Sequence, residues 1–382
     1  MNIQLLNKIA AVGLNQLDDS YNVGENIENP DGIMVRSAVM HEMEFAPSLK
    51  AIARAGAGVN NIPIERCSES GIVVFNTPGA NANGVKELAI CALLLAARDI
   101  VGGIAWANTL TEDVAKQVEK GKSKFAGTEL MGKTLGVIGL GAIGGKIANT
   151  AIHLGMNVIG CDPFLSIEGA WNLNHRVSRA ATYDEVFEKS DYITLHVPAT
   201  KDTKNMICAE SIAKMKNGVK IINLSRADLV NAAELKAALA EGKVSAYVTD
   251  FPTEEVINTP GVVAIPHLGA STEESEDNCA VMAARELDDY LKNGNIKNSV
   301  NYPNVEMPRS GAARICVLHQ NVPSILTKIT AAVADEGLNI ENMTNKSKGE
   351  NAYTVLDVSS TPSDDAIARI SAVEGINRVR VI

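Results

Sequence analysis

From about residue 32 to residue 270 the chain alternates short, continuously apolar runs with helical stretches, and few folds accept that rhythm. GIMVRS, GIVVFN, KTLGVIGLG, NVIGCDP, SDYITLHVP, VKIINLS, SAYVTDF and VVAIPH read as strands. Most are apolar at consecutive rather than alternate positions, which suits strands covered on both faces of a parallel sheet. KELAICALLLAARDI and GGKIANTAIHLG carry helical periodicity between them. This succession predicts an α/β protein built on doubly wound parallel sheets.

The rhythm breaks at KNGNIKNSVNYPNVEMPRSGAA, residues 292–313, whose polar, proline-bearing composition reads as a linker. Beyond it ARICVLHQ, PSILTKITAAVADEG, NIENMTNKS, NAYTVLDVSS, SDDAIARISAV and INRVRVI give the order βαββαβ, a ferredoxin-like module. The expected domains are residues 1–81 with 270–300, residues 82–269, a linker at 301–312 and a module at 313–382.

The net charge of −10 argues against nucleic acid as a partner. It also requires any anionic ligand to be met by local arginines or helix N-termini. An apolar fraction of 46% against 21% charged residues is that of a soluble globular protein, and no apolar stretch is long enough for a membrane span. MNIQLLNKIAAVGLNQL reads poorly as a signal peptide. Cys67, Cys91, Cys161, Cys208, Cys279 and Cys316 are scattered singly. That spacing suits buried thiols in a cytoplasmic protein, with no metal site.

Gly139, Gly141 and Gly144 stand in GxGxxG spacing directly after the strand Thr134–Ile138. The first glycine permits a tight turn, the second a close approach of backbone to pyrophosphate, and the third the packing of helix on strand. NVIGC then ends in Asp162, roughly 20 residues past the fingerprint, where a carboxylate accepts ribose hydroxyls and repels a 2′-phosphate. The pair predicts a dinucleotide site selective for NAD. Three later segments place polar residues at strand ends, where ligands bind in open α/β sheets. They carry Arg226 in INLSRADLVN, Glu254 and Glu255 in DFPTEE, and His267 in IPHLGAST. Oxidising an alcohol carbon by hydride transfer needs a base, a cation for the substrate carboxylate and a carboxylate that orients the base.

GLGAIG, LHVPATKDTKNM, INLSRADLVN, FPTEE and PHLGAST together resemble the D-isomer-specific 2-hydroxyacid dehydrogenases. The resemblance implies a flavodoxin-like substrate domain beside a Rossmann NAD domain. It assigns His267 as acid/base, Glu254 as the group that orients it, and Arg226 as the clamp on the substrate carboxylate. It also extends the cofactor contacts to Ala142, Ile143, His196, Val197, Leu224, Asp250, Gly269 and Ala270, and counts Arg226 and His267 among them. The family usually has an aspartate two residues before the phenylalanine of FPTEE, where this chain has Thr249 and places its acid at Asp250. One residue along a strand reverses the face, so either the strand bulges or the nicotinamide amide is met differently. Glu255 stands where the family has proline.

Arg36 and Ser37 in VRSAVM, Arg54 and the Ala55–Val59 turn with Ala57 and Gly58, and Asn81 suggest a second anionic group on the substrate. Surface ion pairing of the two arginines is the plainer alternative. The segments resemble those of family members acting on a phosphorylated hydroxy acid. That implies oxidation of 3-phosphoglycerate to 3-phosphohydroxypyruvate, the entry to serine synthesis. Two other readings stay open: a glycerate- or hydroxypyruvate-type dehydrogenase, and a regulatory binding protein that senses NAD on the same fold.

The C-terminal module resembles ACT domains, small-molecule sensors that pair edge to edge. The resemblance places His319, Asn321 and Asn339 on a serine effector, although Val322 and Ser324 replace the usual arginine and glycine. The amphipathic stretch 106–125 reads as a subunit contact, so a homodimer or homotetramer is expected.

Overall fold

Residues 2–75 form five short parallel strands, β1 (Asn2–Leu5), β2 (Asn22–Gly24), β3 (Gly32–Val35), β4 (Ala51–Arg54) and β5 (Val73–Phe75). The computed structural model, which describes residues 1–382, orders them β2-β1-β3-β4-β5, the flavodoxin-like order. Ile33, Met34, Val35, Val73, Val74 and Phe75 are fully buried, as their unbroken apolar runs require.

The chain divides into two compact units, Met1–Ala80 with Glu276–Ile382, and Asn81–Ser275. The second unit holds β6 (Thr134–Ile138), β7 (Asn157–Cys161), β8 (Val177–Arg179), β9 (Tyr192–Leu195), β10 (Val219–Asn223), β11 (Val244–Thr249) and β12 (Val262–Ala264). These parallel strands run β12-β11-β10-β9-β6-β7-β8. The order reverses between β6 and β9, which opens a crevice at their carboxyl ends, the usual place for a dinucleotide. Helix Ala82–Ala97 begins this unit and helix Gly144–His153 follows β6.

Four antiparallel strands, β13 (Ala313–Gln320), β14 (Ile340–Lys348), β15 (Asn351–Val358) and β16 (Ile376–Val381), form the C-terminal sheet in the order β14-β15-β13-β16. Helices Ile325–Asp335 and Asp364–Ser371 complete βαββαβ, as read from the sequence. Ser324, in the loop where the resembled sensors carry glycine, takes φ 64, so the left-handed turn persists without the residue best suited to it.

The stretch read as a linker is folded structure. Val300 N–H donates to Val74 O at 2.9 Å, and Asn301 Oδ1 accepts from Val74 N–H at 2.9 Å. Tyr302 OH donates to Ser68 O at 2.8 Å. Ser299, Asn301, Tyr302 and Val305 are buried. Polar composition misleads here because these side chains satisfy buried backbone groups instead of water. The module after it belongs to the first unit, where Cys316, Leu318, Tyr353 and Val355 join the buried cluster around Phe75, Leu287 and Tyr290, and guanidinium–carbonyl bonds add to this. Arg314 donates to Asn293 O at 2.7 Å and Pro308 O at 3.0 Å, Arg380 to Leu291 O at 2.9 Å, and Arg378 to Leu49 O. All six cysteines are unpaired, and no single helix is long and apolar enough to cross a membrane.

Glu286, on helix Glu273–Asn293, is buried. Its Oε1 accepts from Asn298 Nδ2 at 2.7 Å, while Oε2 has no partner. Burial pushes its carboxyl up to about 8, although Asn298 and Lys297 pull the other way. A carboxyl raised on folding is most stabilising while protonated, so its contribution is complete below the ordinary carboxylate range and is lost as pH climbs through about 8. Glu286→Gln should therefore gain about 4 kcal/mol on the wild type between pH 5 and pH 9. Thermal melts across that range check this, and parallel curves would contradict it.

Candidate active site

The three glycines that follow β6 act for three different reasons. Gly139 has φ 88, and a Cβ there would lie 2.4 Å from His196 O. At Gly144 a Cβ would lie 1.9 Å from Gly139 O, so only glycine lets the helix start this close to the strand end. At Gly141 a Cβ would meet nothing within 4 Å, and the backbone faces open space. The N–H groups of Gly141, Ala142 and Ile143 find no acceptor within the chain. They stand at the positive end of helix Gly144–His153, as a pyrophosphate requires. Asp162 is locked beside this loop, its carboxylate accepting from Leu140 N–H at 2.8 Å and Phe164 N–H at 2.9 Å. Each oxygen keeps a lone pair for a ribose hydroxyl.

Two buried polar atoms just past the ends of β9 and β11 lack partners, His196 Nδ1 and Asp250 Oδ1. The His196 ring shares a hydrogen bond with Thr194 Oγ1 at 2.8 Å, and burial pushes it down to about 3, so it is neutral. Burial raises the Asp250 carboxyl, with His267, the Gly269 N–H and Arg226 opposing the rise. Orphaned buried groups of this kind are rare unless a ligand completes them. The glycine cradle, the free N–H groups, Asp162 and these two atoms together fit a dinucleotide. As for the displaced acid, β11 does bulge, by one residue near Ser245 at its start. Thr249 is its last paired residue, with Oγ1 accepting from Phe251 N–H at 3.0 Å. Asp250 follows with its carboxylate beside Gly269.

Arg226 and His267 meet on one aromatic ring. The His267 and Phe251 centroids are 4.4 Å apart, and the Arg226 guanidinium carbon lies 5.4 Å from the Phe251 centroid. Asn223, fully buried, shapes the loop that presents Arg226. Its Oδ1 accepts from Ser225 N–H at 3.2 Å, and its Nδ2 donates to Arg226 O at 2.8 Å and Tyr247 OH at 3.1 Å. Sequence reasoning named neither Phe251 nor Asn223. Their signals were an aromatic between two polar segments and a turn-forming asparagine just before Arg226. Leu224 is buried, while Val197 and Ala270 are half-buried.

The expected carboxylate–imidazole pair is not made. Glu254 and Glu255 are both exposed, and neither bonds to His267. Phe251 occupies a face of the imidazole, and the exposed turn that follows has no bond holding either glutamate against it. Glu255 lines a cavity of about 270 Å³ with Asp228, Asn231 and Tyr247, and Glu254 does not.

In the first unit Asn7 Oδ1 accepts the N–H groups of Arg36, Ser37 and Ala38 at 3.0, 2.9 and 2.9 Å. Arg36 is paired with Glu276 at 2.6 Å, so the plainer ion-pair alternative describes its position here. Arg54 Nε donates to Arg36 O at 3.1 Å, and its guanidinium lies against Gly56, where a Cβ would sit 1.6 Å from Nη1. Ala57 is exposed and Gly58 half-buried, in a turn held by Asn76 Nδ2 donating to Ala57 O at 2.6 Å. Asn81 lies in the other unit, as the residue preceding helix Ala82–Ala97.

The residues expected to hold an effector divide. His319 is 1% exposed, its Nδ1 paired with Gln320 O at 2.7 Å and its Nε2 with Thr354 Oγ1 at 2.8 Å. Both ring nitrogens are spent inside the sheet, so His319 is a fold residue and not a ligand contact. Asn321 sits at the surface with Nδ2 donating to Gly349 O at 3.2 Å, and the Asn339 side chain makes no bond.

Residues 93–269 match the family model described as D-isomer specific 2-hydroxyacid dehydrogenase, NAD binding domain. The Escherichia coli D-3-phosphoglycerate dehydrogenase is 32% identical over 350 residues, covering 88% of this chain and 82% of that protein. This chain belongs to the D-isomer specific 2-hydroxyacid dehydrogenase family. Its second unit carries the family's NAD-binding domain. The Methanocaldococcus jannaschii D-3-phosphoglycerate dehydrogenase is 36% identical over 324 residues, or 82% of this chain. The chain spans only 59% of that protein's length, and 52% and 54% of the relatives from Archaeoglobus fulgidus and Bacillus subtilis. Among solved structures, the NAD+-bound 3-phosphoglycerate dehydrogenase of Entamoeba histolytica is 30% identical with a TM-score of 0.62, covering 79% of this chain and 98% of that one.

Proposed function

We propose that this chain oxidises 3-phospho-D-glycerate to 3-phosphohydroxypyruvate with NAD, as the first committed step of serine synthesis. The observation that carries the reading is the shared Phe251 platform, which gathers an imidazole and a guanidinium at the carboxyl end of the same sheet that carries a cradle fitted to a dinucleotide. The names of the relatives from Escherichia coli, Methanocaldococcus jannaschii and Entamoeba histolytica support the substrate. Bound NAD supplies the hydride acceptor. His267 takes the proton of the substrate hydroxyl, and Arg226 holds the carboxylate and polarises the reacting oxygen. Glu254 orients the imidazole in the substrate complex, where catalytic hydrogen bonds tighten. Because Glu255 faces a different cavity, Glu254→Gln should lower turnover by about tenfold more than Glu255→Gln at neutral pH. Equal losses in steady-state assays would reject the assignment.

Arg36, Ser37 and Asn81 take the phosphate end, the Ala55–Val59 turn with Ala57 and Gly58 meets the carboxylate, and Arg54 is a further substrate-binding cation. The Arg36–Glu276 pair favours a second reading, a dehydrogenase for unphosphorylated 2-hydroxy acids such as D-glycerate. Arg36→Ala separates the two. It should raise KM for 3-phosphoglycerate at least about tenfold, whereas a change under about twofold would favour the unphosphorylated substrate.

The C-terminal module acts as an ACT-like regulatory domain, supported by its βαββαβ order and antiparallel sheet. Serine is its proposed effector, with Asn321 and Asn339 as contacts. A homodimer or homotetramer is supported by exposed Val101, Ile104 and Val114 around the amphipathic stretch.

A further inference from the structure

In the first unit a cleft of about 660 Å³ lies between the Asn76–Pro78 turn, the 298–304 segment and the Lys346–Lys348 end of β14. No carboxylate lines it, although the chain carries a net charge of −10. Lys346 and Lys348 stand two residues apart on one strand and so share a face. Neither takes part in an ion pair. Lys348 Nζ is fixed by donating to Ser299 O at 2.8 Å, which leaves its other protons free. Asn304 adds an amide to the wall. Charged lysines protect an edge strand from pairing, but edge protection does not need a cleft whose wall is cleared of acids.

We propose that this cleft is a second anion site, taking a small phosphate- or carboxylate-bearing molecule between Lys346 and Lys348. The floor of the site is tied to the turn that carries Ala57 and Gly58. Asn76 N–H donates to Asn298 O at 3.3 Å, and Asn76 Nδ2 donates to Ala57 O at 2.6 Å. Asn298 is itself held by Glu286, and the segment pairs with β5 at Phe75–Ser299. An occupant that draws Lys348 away from Ser299 thus bears on the turn given to the substrate carboxylate. This coupling rests on the proposed function; the site itself does not.

The test is calorimetric titration of the full-length protein, saturated with NAD, with inorganic phosphate and in a second arm with malonate, at fixed ionic strength. The Lys346→Gln/Lys348→Gln protein should lose at least about tenfold in affinity for the stronger-binding of the two anions, while Arg36→Ala keeps that event. The single variant Lys346→Gln, whose side chain makes no bond within the chain, should show part of the loss with an unchanged melting temperature. Isotherms identical to wild type in the double variant would overturn the site. Phosphate should shift KM for 3-phosphoglycerate in the wild type by about threefold more than in the double variant, and equal shifts would overturn the coupling. Lost phosphate binding in the double variant of a chain that does not turn over 3-phosphoglycerate would sink the proposed function and leave the site standing.

Discussion

Replacing His267 with glutamine is expected to lower turnover by about 10²–10⁴ while the chain still binds NAD. The glycine loop, its free N–H groups and Asp162 that build the dinucleotide site make no contact that depends on the imidazole. Glutamine can occupy the place beside Phe251 but cannot accept and release a proton near neutral pH. Cofactor binding followed by fluorescence, set beside steady-state rates, separates the two effects. A loss below about tenfold would move the base elsewhere, and loss of NAD binding would make His267 a structural residue.

The second large effect is on stability. Arg314 and Asp357 are both fully buried and form a two-pronged pair at 2.6 and 2.9 Å. Asp357 also accepts from the Ser310 N–H at 2.7 Å and hydroxyl at 3.0 Å. Asp357→Asn leaves the guanidinium charged, buried and short of its counter-ion, which should cost about 3–5 kcal/mol. Because Arg314 also ties the C-terminal module to Asn293 and Pro308, the loss should appear as earlier unfolding of the whole first unit. The pH dependence has the opposite sign to that of Glu286. Burial alone would raise the Asp357 carboxyl, but Arg314 and Ser310 outweigh it and hold it below its ordinary value. Its contribution is therefore present above the ordinary aspartate range and lost as pH falls through the lowered value. Urea unfolding of both proteins at pH 7 and pH 3 checks this. A difference that does not shrink in acid would assign the effect to packing instead of charge.

How far sequence reading reached follows from what each segment must bury. Runs such as KTLGVIGLG and VKIINLS are legible because a strand covered on both faces has no room for polar residues. NIQL, NVG, AIAR and VSR form β1, β2, β4 and β8, each with a polar residue within its three or four positions, so none shows as a continuous apolar run. The 292–313 segment was misread since asparagine and serine look alike whether they meet water or buried N–H groups, and only the fold reveals Val74 beneath Asn301. The C-terminal module shows the converse. Its element order was plain, yet His319 faces Thr354 within the sheet instead of a ligand. In the candidate site the fingerprint glycines, Asp162, Arg226 and His267 were all legible as residues. That Arg226 and His267 share Phe251 was not, because the contact joins segments about 25 and 16 residues apart on either side of that ring.

The most direct measurement is the initial rate of NAD reduction by the purified full-length chain with 3-phosphoglycerate and, in parallel, D-glycerate. The proposed contact of Arg36 with the substrate phosphate predicts kcat/KM at least about 100-fold higher for the phosphorylated acid, since one well-placed charged contact is worth a few kcal/mol. Equal rates with the two acids, or reduction of NAD by neither, would contradict the account.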